Sequence, residues 1–328
     1  MSRRARATAH SNIALSKYWG KKDDALILPM NGSLSLTLDA FYTTTEVSFS
    51  EQSGEDTVTL DGEAVTGTPL FKVQQFLDKV RQMKGVNWQA HVESHNHVPT
   101  AAGLASSASA FAALAGAATR AIGLELNDRE LSRLARKGSG SASRSIYAGF
   151  ALWQAGDDDE SSYAYPVTSP LLDEVAMLVV VINAKHKPVS SREGMKRTVE
   201  TSPFYSAWVE DAQQRLVEMK KAVNEGAFTR MGELAEMSAM RMHATMLSAN
   251  PPFCYWEAGS LLAMQRVREL RAEGHECYFT MDAGPNVKII TRKGTLPVLR
   301  QRMVKDFPEE ALLTALPGPG IEVSQCDE

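Results

Sequence analysis

The chain has 328 residues, a formal net charge of −4 and a pI near 6.0. Hydrophobic residues make up 44% of it and charged residues 23%, which is ordinary for a globular protein. This balance of charge gives no electrostatic reason to expect nucleic acid or an anionic membrane as a partner. The length suits two closely packed domains, or one large domain, with a sizeable core.

The N-terminal sequence and the cysteines bear on where the protein works. Arg3, Arg4 and Arg6 could begin a signal peptide, but polar residues interrupt the sequence before an apolar stretch develops. The longest apolar run, residues 175–182, is too short to cross a bilayer. The cysteines are far apart in the sequence, which favours neither a disulfide framework nor a zinc cluster. We therefore expect a cytoplasmic protein with no membrane partner.

The first half of the chain is predicted to be rich in strands. Alternating sequences and turn signals predict strands over residues 8–15, 33–38, 43–48, 57–60, 88–98, 145–154 and 174–182. Apolar residues at helical spacing predict helices over 69–83 and 128–136. A further helix is predicted from the end of the loop that begins at residue 99 to about residue 122. Small residues over 138–143 predict a flexible connection.

Helical patterns dominate the second half. They cover residues 205–224, 228–248, 256–273 and 296–305, and strands are predicted over 276–281, 287–290 and 311–315. The mixture predicts an α+β protein. Because a polar stretch ends the apolar strand near residue 184, we expect one domain over 1–184 and another over 185–328.

The most informative segment covers residues 99–112, PTAAGLASSASAFA. Small residues let backbone N–H groups crowd around an anion, and the N-terminus of the following helix adds positive potential. Hydroxyls at Ser106, Ser107 and Ser109 could donate to phosphate oxygens or reach a metal ion bound to them. The segment matches neither common glycine motif for nucleotides. It predicts a nucleotide-phosphate cradle; the alternative is a helix start that needs small residues for close packing.

Two other segments combine cations or hydroxyls in a way that suits anions. Residues 12–21 end a strand with Lys17 and Lys21, which would suit a polyanionic ligand; solvated lysines at a strand end are the alternative. Residues 138–145 combine serines with Arg144, whose planar guanidinium could grip a carboxylate. An ordinary flexible loop is the alternative there.

The second half contributes one cation and one acid. Arg192 follows Ser190 and Ser191 at a predicted helix start, which suits an anion contact, an N-cap or both. Asp282 ends a strand before a Gly-Pro turn, where a carboxylate could orient or deprotonate a hydroxyl. The alternative for Asp282 is a structural role in the turn.

Four residues at alternate positions would share one face of the strand over 88–98. They are His91, Glu93, His95 and His97. A metal site is one interpretation of this row, and an exposed polar face is the other, since nothing else nearby has the spacing of metal ligands.

Five blocks, in this order, carry a family resemblance. They are residues 12–21 (NIALSKYWGK), 99–107 (PTAAGLASS), 139–144 (SGSASR), 190–195 (SSREGM) and 281–286 (MDAGPN). Together they resemble the diphosphomevalonate decarboxylase family, a member of the GHMP kinase superfamily. The blocks span most of the chain, and the first, third and last are the specific ones.

The resemblance implies a fold, a reaction and an assembly. The fold would be α+β, with an N-terminal GHMP ATP-binding domain, a ferredoxin-like C-terminal domain and a cleft between them. The reaction would convert (R)-5-diphosphomevalonate to isopentenyl diphosphate with ATP and Mg²⁺, releasing ADP, phosphate and CO2. The enzyme would be a homodimer.

The resemblance also implies roles for individual residues. Asp282 would orient or deprotonate the tertiary hydroxyl, Arg144 would bind the carboxylate, and Lys17 would neutralise the transferred phosphoryl group. The substrate would be bound by Tyr18, Lys21, Ser139, Gly140, Ser141 and Arg192. ATP would be bound by Ser94, Gly103, Ala105, Ser106 and Ser107. The protein ligands of Mg²⁺ are left undefined.

Two alternative functions stay open. One is a relative that stops at phosphorylation or prefers the monophosphate. The other is a nucleotide-binding regulator without turnover. Lys17, Arg144 and Asp282 together favour the full reaction, because a protein that only binds has no chemical need for all three.

Overall fold

The computed structural model describes residues 3–52, 54–97, 106–183 and 189–326. Within these residues, no helix is long and apolar enough to cross a membrane. Two sheets with helices packed on them make up the architecture.

The first sheet has eight strands, and most of its residues come from the first half of the chain. Its strands are β1 (Arg3–Ser16), β4 (Ser33–Ser50), β5 (Thr57–Leu60), β6 (Glu63–Ala64), β7 (Gln89–His97), β8 (Phe150–Trp153), β9 (Ala164–Pro166) and β14 (Glu322–Gln325). The order is β14-β1-β4-β7-β5-β6, with β8 also paired to β4 and β9 paired to β8. A separate hairpin joins β2 (Lys21–Asp23) to β3 (Leu28–Pro29).

Three helices accompany the first sheet: α1 (Gly67–Lys84), α2 (Ser106–Ala121) and α3 (Asp128–Arg136). Helix α2 lies against β1 and β4, and its alanine-rich sequence lets it come close. A Cβ added to Gly116 would lie 2.7 Å from Ile321, so even a methyl group has no room there. Helix α3 begins where the sequence predicts, because Asn127 and Glu130 form a reciprocal capping box.

The second sheet has four antiparallel strands: β10 (Val175–Val180), β11 (Cys277–Met281), β12 (Val287–Arg292) and β13 (Leu312–Ala315). The order β11-β12-β10-β13 and the strand–helix succession are those of a ferredoxin-like domain. Its helices are α4 (Ser191–Thr201), α5 (Tyr205–Glu225), α6 (Phe228–Leu247), α7 (Ala258–Ala272) and α8 (Leu296–Met303).

The strand pairing bears on the expected division of the chain. Residue 184 lies outside the described residues, so a boundary there stays a prediction. Strand β10 comes before residue 184, and among the described strands it pairs with those of the second sheet alone. The last strand, β14, returns to the first sheet and pairs with β1.

Three sequence predictions differ from the structure. The strands expected over 33–38 and 43–48 form the single long strand β4. The flexible connection expected over 138–143 is instead largely a buried 3₁₀ segment, Gly140–Ile146, so the strand expected from 145 begins only at Phe150. The short strands β2, β3, β6, β9 and β14 have no counterpart among the predicted strands.

The two sheets share one hydrophobic core. Leu34 and Leu36 of β4 belong to the same buried cluster as Val175 and Met177 of β10, together with residues of α5 and α6. This shared core brings the end of β1 close to the end of β11, and the cleft of the molecule lies at that point.

Candidate active site

A cavity of about 280 Å³ lies between the two halves of the molecule. Most of the site residues predicted from the sequence line it: Lys17, Tyr18, Lys21, Ser107, Ser139, Gly140, Ser141, Arg144, Arg192 and Asp282. A larger cavity of about 800 Å³, bordered by α1 and α4, shares Lys21 and Arg192 with it. The structure therefore brings segments separated by more than 200 residues to one cleft.

Lys17 lies just beyond the end of β1 and is almost completely buried. Its Nζ donates to the backbone oxygen of Ala14 and to Oδ1 of Asp282, both at 2.7 Å. Its backbone N–H donates to Oγ of Ser238 on α6 at 3.0 Å. Both halves of the molecule therefore fix the position of this ammonium group.

Asp282 follows β11, and two ammonium groups flank its carboxylate. Lys17 holds Oδ1, and Nζ of Lys288 on β12 lies 3.4 Å from Oδ2. Burial alone would raise the pKa of Asp282, but the two lysines outweigh it and hold this pKa well below its usual range. Because 33% of the Asp282 side chain is exposed while the Lys17 side chain is only 1% exposed, the carboxylate is the member of the pair that can reach a ligand.

Burial also shifts the pKa of Lys17. It lowers this pKa to about 8, and the neighbouring carboxylate of Asp282 opposes the shift. The ammonium form therefore predominates at neutral pH, but it is lost at lower pH than the ammonium group of an exposed lysine.

Arg144 lies in the 3₁₀ segment and is also buried. Its Nε donates to Oγ of Ser35 at 2.9 Å and to Oδ1 of Asn12 at 3.2 Å, and Nη1 donates to Oγ of Ser33. Within the described part of the chain, all its hydrogen-bond partners are uncharged oxygens. Burial lowers its pKa to about 10, so the guanidinium stays charged at neutral pH.

A short polar wall connects Arg144 to the N-terminus of α2. Oγ of Ser139 lies 3.2 Å from Oγ of Ser141 and 3.4 Å from Oγ of Ser107. A Cβ added to Gly140 would lie 2.8 Å from the ring of Trp153 and 3.1 Å from that of Tyr18. The absence of a side chain at Gly140 thus leaves Tyr18 room against Trp153, where their ring centroids are 4.8 Å apart.

Two predicted cations lie at the mouth of the cleft. Nζ of Lys21 donates to Oδ1 of Asp24 at 2.8 Å, and the Lys21 side chain is only 9% exposed. Arg192 lies in the first turn of α4 and is exposed. Ser190 caps this helix, because its Oγ accepts from the N–H of Glu193 at 3.2 Å. The N-cap and the anion contact predicted for this segment are therefore compatible.

The predicted ATP residues are only partly described. Gly103 and Ala105 lie outside the described residues, as does the side chain of Ser106. Ser107 is exposed at the start of α2 and lines the cleft. Ser109 is buried, and its hydroxyl bonds to Thr43 at 2.8 Å, so it does not face a ligand.

Ser94 is the predicted ATP residue that lies apart from the cleft. It is on β7, where its Oγ lies 2.8 Å from Oγ of Thr45 inside the sheet. It does not line the cavity, and its role at the nucleotide stays a prediction.

The row of His91, Glu93, His95 and His97 lies on the more exposed face of β7. This agrees with the interpretation of the row as an exposed polar face. His95 and Glu93 contact each other at 3.0 Å. In the residues that the structure describes, no group of three or more His, Cys, Asp or Glu side chains could hold a metal ion.

Several residues of the site were missed by sequence reasoning. They are Lys288 beside Asp282, Ser33 and Ser35 on Arg144, Asn12 on Arg144 and Lys72 at the cavity wall. Lys288 gave a signal, since it is a lone charge in an apolar strand. The two serines gave none, because their role depends on where β4 passes under the 3₁₀ segment.

The fold and the cation-lined cleft define an enzyme of the GHMP kinase class that acts on an anionic small molecule. Two family models match the chain. One is described as the diphosphomevalonate decarboxylase-like N-terminal domain and matches residues 9–164; the other, the mevalonate 5-diphosphate decarboxylase C-terminal domain, matches 177–320.

Similar proteins support the same assignment. Diphosphomevalonate decarboxylase of Bos taurus is 37% identical, over 93% of this chain and 80% of its own length. The mevalonate diphosphate decarboxylase from Enterococcus faecalis, studied for mevalonate diphosphate-mediated ATP binding, is 51% identical in structure comparison, with a TM-score of 0.95 over 99% of this chain and all of its own. A structure described as MDDEF in complex with MVAPP, AMPPCP and magnesium gives a TM-score of 0.96 at 51% identity, with the same coverage. The chain belongs to the diphosphomevalonate decarboxylase family.

Proposed function

We propose that this protein converts (R)-5-diphosphomevalonate to isopentenyl diphosphate, consuming ATP and releasing ADP, phosphate and CO2. One observation carries the proposal: the carboxylate of Asp282, paired with Lys17, faces the same cleft as the buried guanidinium of Arg144, which forms no ion pair in the described residues. The substrate offers a tertiary hydroxyl to the first group and a carboxylate to the second. The names of the relatives agree with this reaction.

Asp282 is proposed to act on the tertiary hydroxyl. Its low pKa keeps the carboxylate ionised at neutral pH, so it accepts a hydrogen bond from the hydroxyl and orients its oxygen. The proton passes to the carboxylate as the hydroxyl oxygen bonds to the γ-phosphorus of ATP. The bond from that phosphorus to the oxygen bridging to the β-phosphate breaks at the same time, and ADP leaves with the bonding electrons. The ammonium group of Lys17, 2.7 Å from the same carboxylate, is placed to neutralise charge on the transferred phosphoryl group.

Arg144 is proposed to bind the substrate carboxylate. Because only uncharged oxygens hold its guanidinium, its charge is available to an anion. When the new phosphate leaves with its bonding electrons, the electron pair of the C–CO2 bond becomes the double bond of the product. The carboxylate leaves as neutral CO2, so the attraction of Arg144 weakens once the reaction is complete.

Tyr18, Lys21 and Arg192 are proposed to hold the diphosphate. Lys21 and Arg192 provide two cations that line both the small and the large cavity. Ser139, Gly140 and Ser141 would contact the substrate between its diphosphate and its carboxylate. Gly140 provides the close approach, because a side chain there would meet Trp153 and Tyr18.

ATP is proposed to place its phosphates at the N-terminus of α2, where Ser107 is exposed. Protein sites commonly hold Mg²⁺ through substrate phosphates, waters and a few protein oxygens, and a site with no cluster of acids in its described residues fits that mode. The Ser107 hydroxyl would help to hold the ion. When bound, Mg²⁺ supplies neutralisation of the triphosphate charge.

We also propose that the enzyme is a cytoplasmic homodimer. The three cysteines are free, which suits a reducing compartment. Large apolar side chains at Phe204, Val217 and Leu261 are exposed and available to a second subunit. Size-exclusion chromatography with light scattering tests the dimer: we expect about twice the chain mass of 35.9 kDa, and the mass of one chain would contradict it.

The reaction is tested with purified protein, ATP, Mg²⁺ and 5-diphosphomevalonate labelled in the carboxyl group. We expect ADP and labelled CO2 in equal amounts. ADP without CO2 would identify a kinase and remove the proposed role of Arg144. Turnover of the monophosphate but not of the diphosphate would identify the monophosphate as the substrate. Nucleotide binding without any product would indicate a regulator.

A further inference from the structure

Lys288 is buried and lies outside the set of residues that line the cleft. Its Nζ lies 3.4 Å from Oδ2 of Asp282 and donates to the backbone oxygen of Asn286 at 3.2 Å. We propose that Lys288 is a positioning residue for the decarboxylation: it holds Oδ2 of Asp282, so that the carboxylate keeps one orientation beside Lys17 and towards the substrate hydroxyl. This inference rests on the function proposed above.

The hairpin geometry explains how Lys288 reaches Asp282. Strands β11 and β12 pair in antiparallel register, with Thr280 opposite Lys288 and Met281 opposite Val287. Thr280 and Asp282 are two residues apart, so their side chains point to the same face of the hairpin as that of Lys288. Asp282 directly follows Met281, the last paired residue of β11, so the Lys288 side chain on this face can reach the Asp282 carboxylate.

The surroundings of Lys288 give the ammonium group a single acidic partner. Its side chain is 4% exposed and lies in a strand of apolar neighbours, where an unpaired ammonium group would be strongly unfavourable. In the described residues, Asp282 is the only carboxylate with which Lys288 forms an ion pair. If Lys288 only filled space, an apolar residue at this position would serve equally well without loss of stability. Its ammonium group therefore indicates a role that depends on charge.

Lys17 alone does not fix the carboxylate. One contact at Oδ1 leaves rotation about the Cβ–Cγ bond, whereas contacts at both oxygens define the plane of the group. In the part of the chain that the structure describes, the other titratable groups near Asp282 are Arg144 and His243. Burial lowers the pKa of His243 to about 3, so its imidazole is uncharged and cannot replace Lys288.

The Lys288 charge also acts on Lys17. Its ammonium group, together with the dominant effect of burial, contributes to the lowered pKa of Lys17. Loss of the Lys288 charge therefore raises the pKa of both Lys17 and Asp282. In a variant without the Lys288 charge, activity is therefore lost at higher pH than in wild type, although its turnover is slower.

The test compares Lys288→Met with wild type, because Met keeps the length and removes the charge. We expect kcat to fall by about 10²-fold, since a displaced reacting group costs that much, while KM for both substrates changes by less than about threefold. The alkaline limb of kcat/KM should move to higher pH. Lys293→Met, an exposed lysine beyond the same strand, should leave both quantities unchanged.

Thr280→Val separates positioning from packing. It disturbs the residue opposite Lys288 without changing charge, so it should not move the alkaline limb. If Lys288→Met retains kcat within about threefold of wild type, or loses rate with an unmoved limb, Lys288 has no positioning role. If Lys288→Met does not fold, Lys288→Arg is the deciding variant. The inference requires that its alkaline limb of kcat/KM match that of wild type and that it keep at least about a tenth of the wild-type kcat. A wild-type enzyme that releases no CO2 would instead defeat the proposed function itself.

Discussion

Asp282 and Arg144 lie in one cleft, but the protein treats their charges in opposite ways. Two ammonium groups within the protein flank the carboxylate of Asp282, whose side chain is 33% exposed. The guanidinium of Arg144 is more deeply buried, yet it is held by two serines and an asparagine. In the described residues, the carboxylate has its counter-ions within the protein, whereas the guanidinium forms no ion pair.

The difference indicates what each region is for. A buried charge without a counter-ion is unfavourable unless a ligand supplies one, so the Arg144 region is built to receive an anion. A carboxylate already held by two cations is instead fixed in place and ready to accept a hydrogen bond. One region therefore binds charge and the other positions a reacting group.

The largest expected effect is at Asp282. Asp282→Asn keeps the shape but removes the base and leaves Lys17 and Lys288 without a counter-ion. We expect kcat to fall by about three orders of magnitude or more while nucleotide binding persists. Rapid-quench measurement of ADP, with calorimetric titration of a nonhydrolysable ATP analogue, checks both parts.

A matched variant is Asp306→Asn, which breaks the ion pair of Asp306 with Arg266 away from the cleft. It should leave kcat within about twofold, because partly exposed ion pairs contribute little. Near-normal turnover of Asp282→Asn would remove the distinction between the two regions.

Arg144→Lys should be the next most damaging. One ammonium group cannot reproduce the fork that contacts Ser33, Ser35 and a substrate carboxylate together. We expect kcat/KM for 5-diphosphomevalonate to fall about 10²-fold, with a smaller change in KM for ATP. Arg302→Lys, in a surface pair with Glu273, is the control and should behave as wild type. Unchanged kinetics in Arg144→Lys would mean that this region does not bind the carboxylate.

The third prediction concerns pH. In the role proposed for it, Lys17 acts as an ammonium group, and burial lowers its pKa to about 8. Since the group loses its charge as pH rises, kcat/KM should fall above pH 8 by about tenfold per unit. Bound anions favour the ammonium form, so the limb of kcat should lie at higher pH than that of kcat/KM. Profiles of both constants from pH 6 to about 10 check this; a kcat/KM that stays flat to the upper end would contradict it.

The smallest effect is expected at Gly140, in the wall that joins the two regions. A methyl group would press on Trp153 and Tyr18, and such overpacking costs about 1–3 kcal/mol. Gly140→Ala should lower the melting temperature and raise KM for the diphosphate substrate a few-fold, with little change in kcat. At Gly294 a Cβ would meet nothing within 4 Å, so Gly294→Ala is the control. Equal behaviour of the two variants would show that Tyr18 does not depend on this space.

Much of the site is predictable because its reactive residues lie at the ends of strands and helices. Lys17 and Asp282 each stand where the apolar pattern of a strand stops, and Arg192 follows two serines at a helix start, so all three are visible in the sequence. Lys288 requires the register of β11 on β12, which the sequence does not reveal. Ser33 and Ser35 require the path of β4 under the segment that carries Arg144.

The fold shows the same division between local and distant information. Helix α3 and strand β5 have the predicted limits, because a capping box and turn signals mark them locally. The small polar residues of the 3₁₀ segment predict a flexible connection, because they resemble a loop. It is ordered by distant partners, among them Asn12, which donates to the backbone oxygen of Ser141 at 2.9 Å. Strand β14 is short, polar and exposed, so its sequence carries no strand signal.

The ion pair between Lys17 and Asp282 joins residues that are 265 positions apart. During synthesis, Lys17 leaves the ribosome long before Asp282, its counter-ion, has been made. Ser238, whose hydroxyl accepts a hydrogen bond from the backbone N–H of Lys17, also follows much later. An ammonium group is not buried without a partner. The ion pair can therefore form only after the hairpin of β11 and β12 has been synthesised. The active site is complete only when most of the chain has been made.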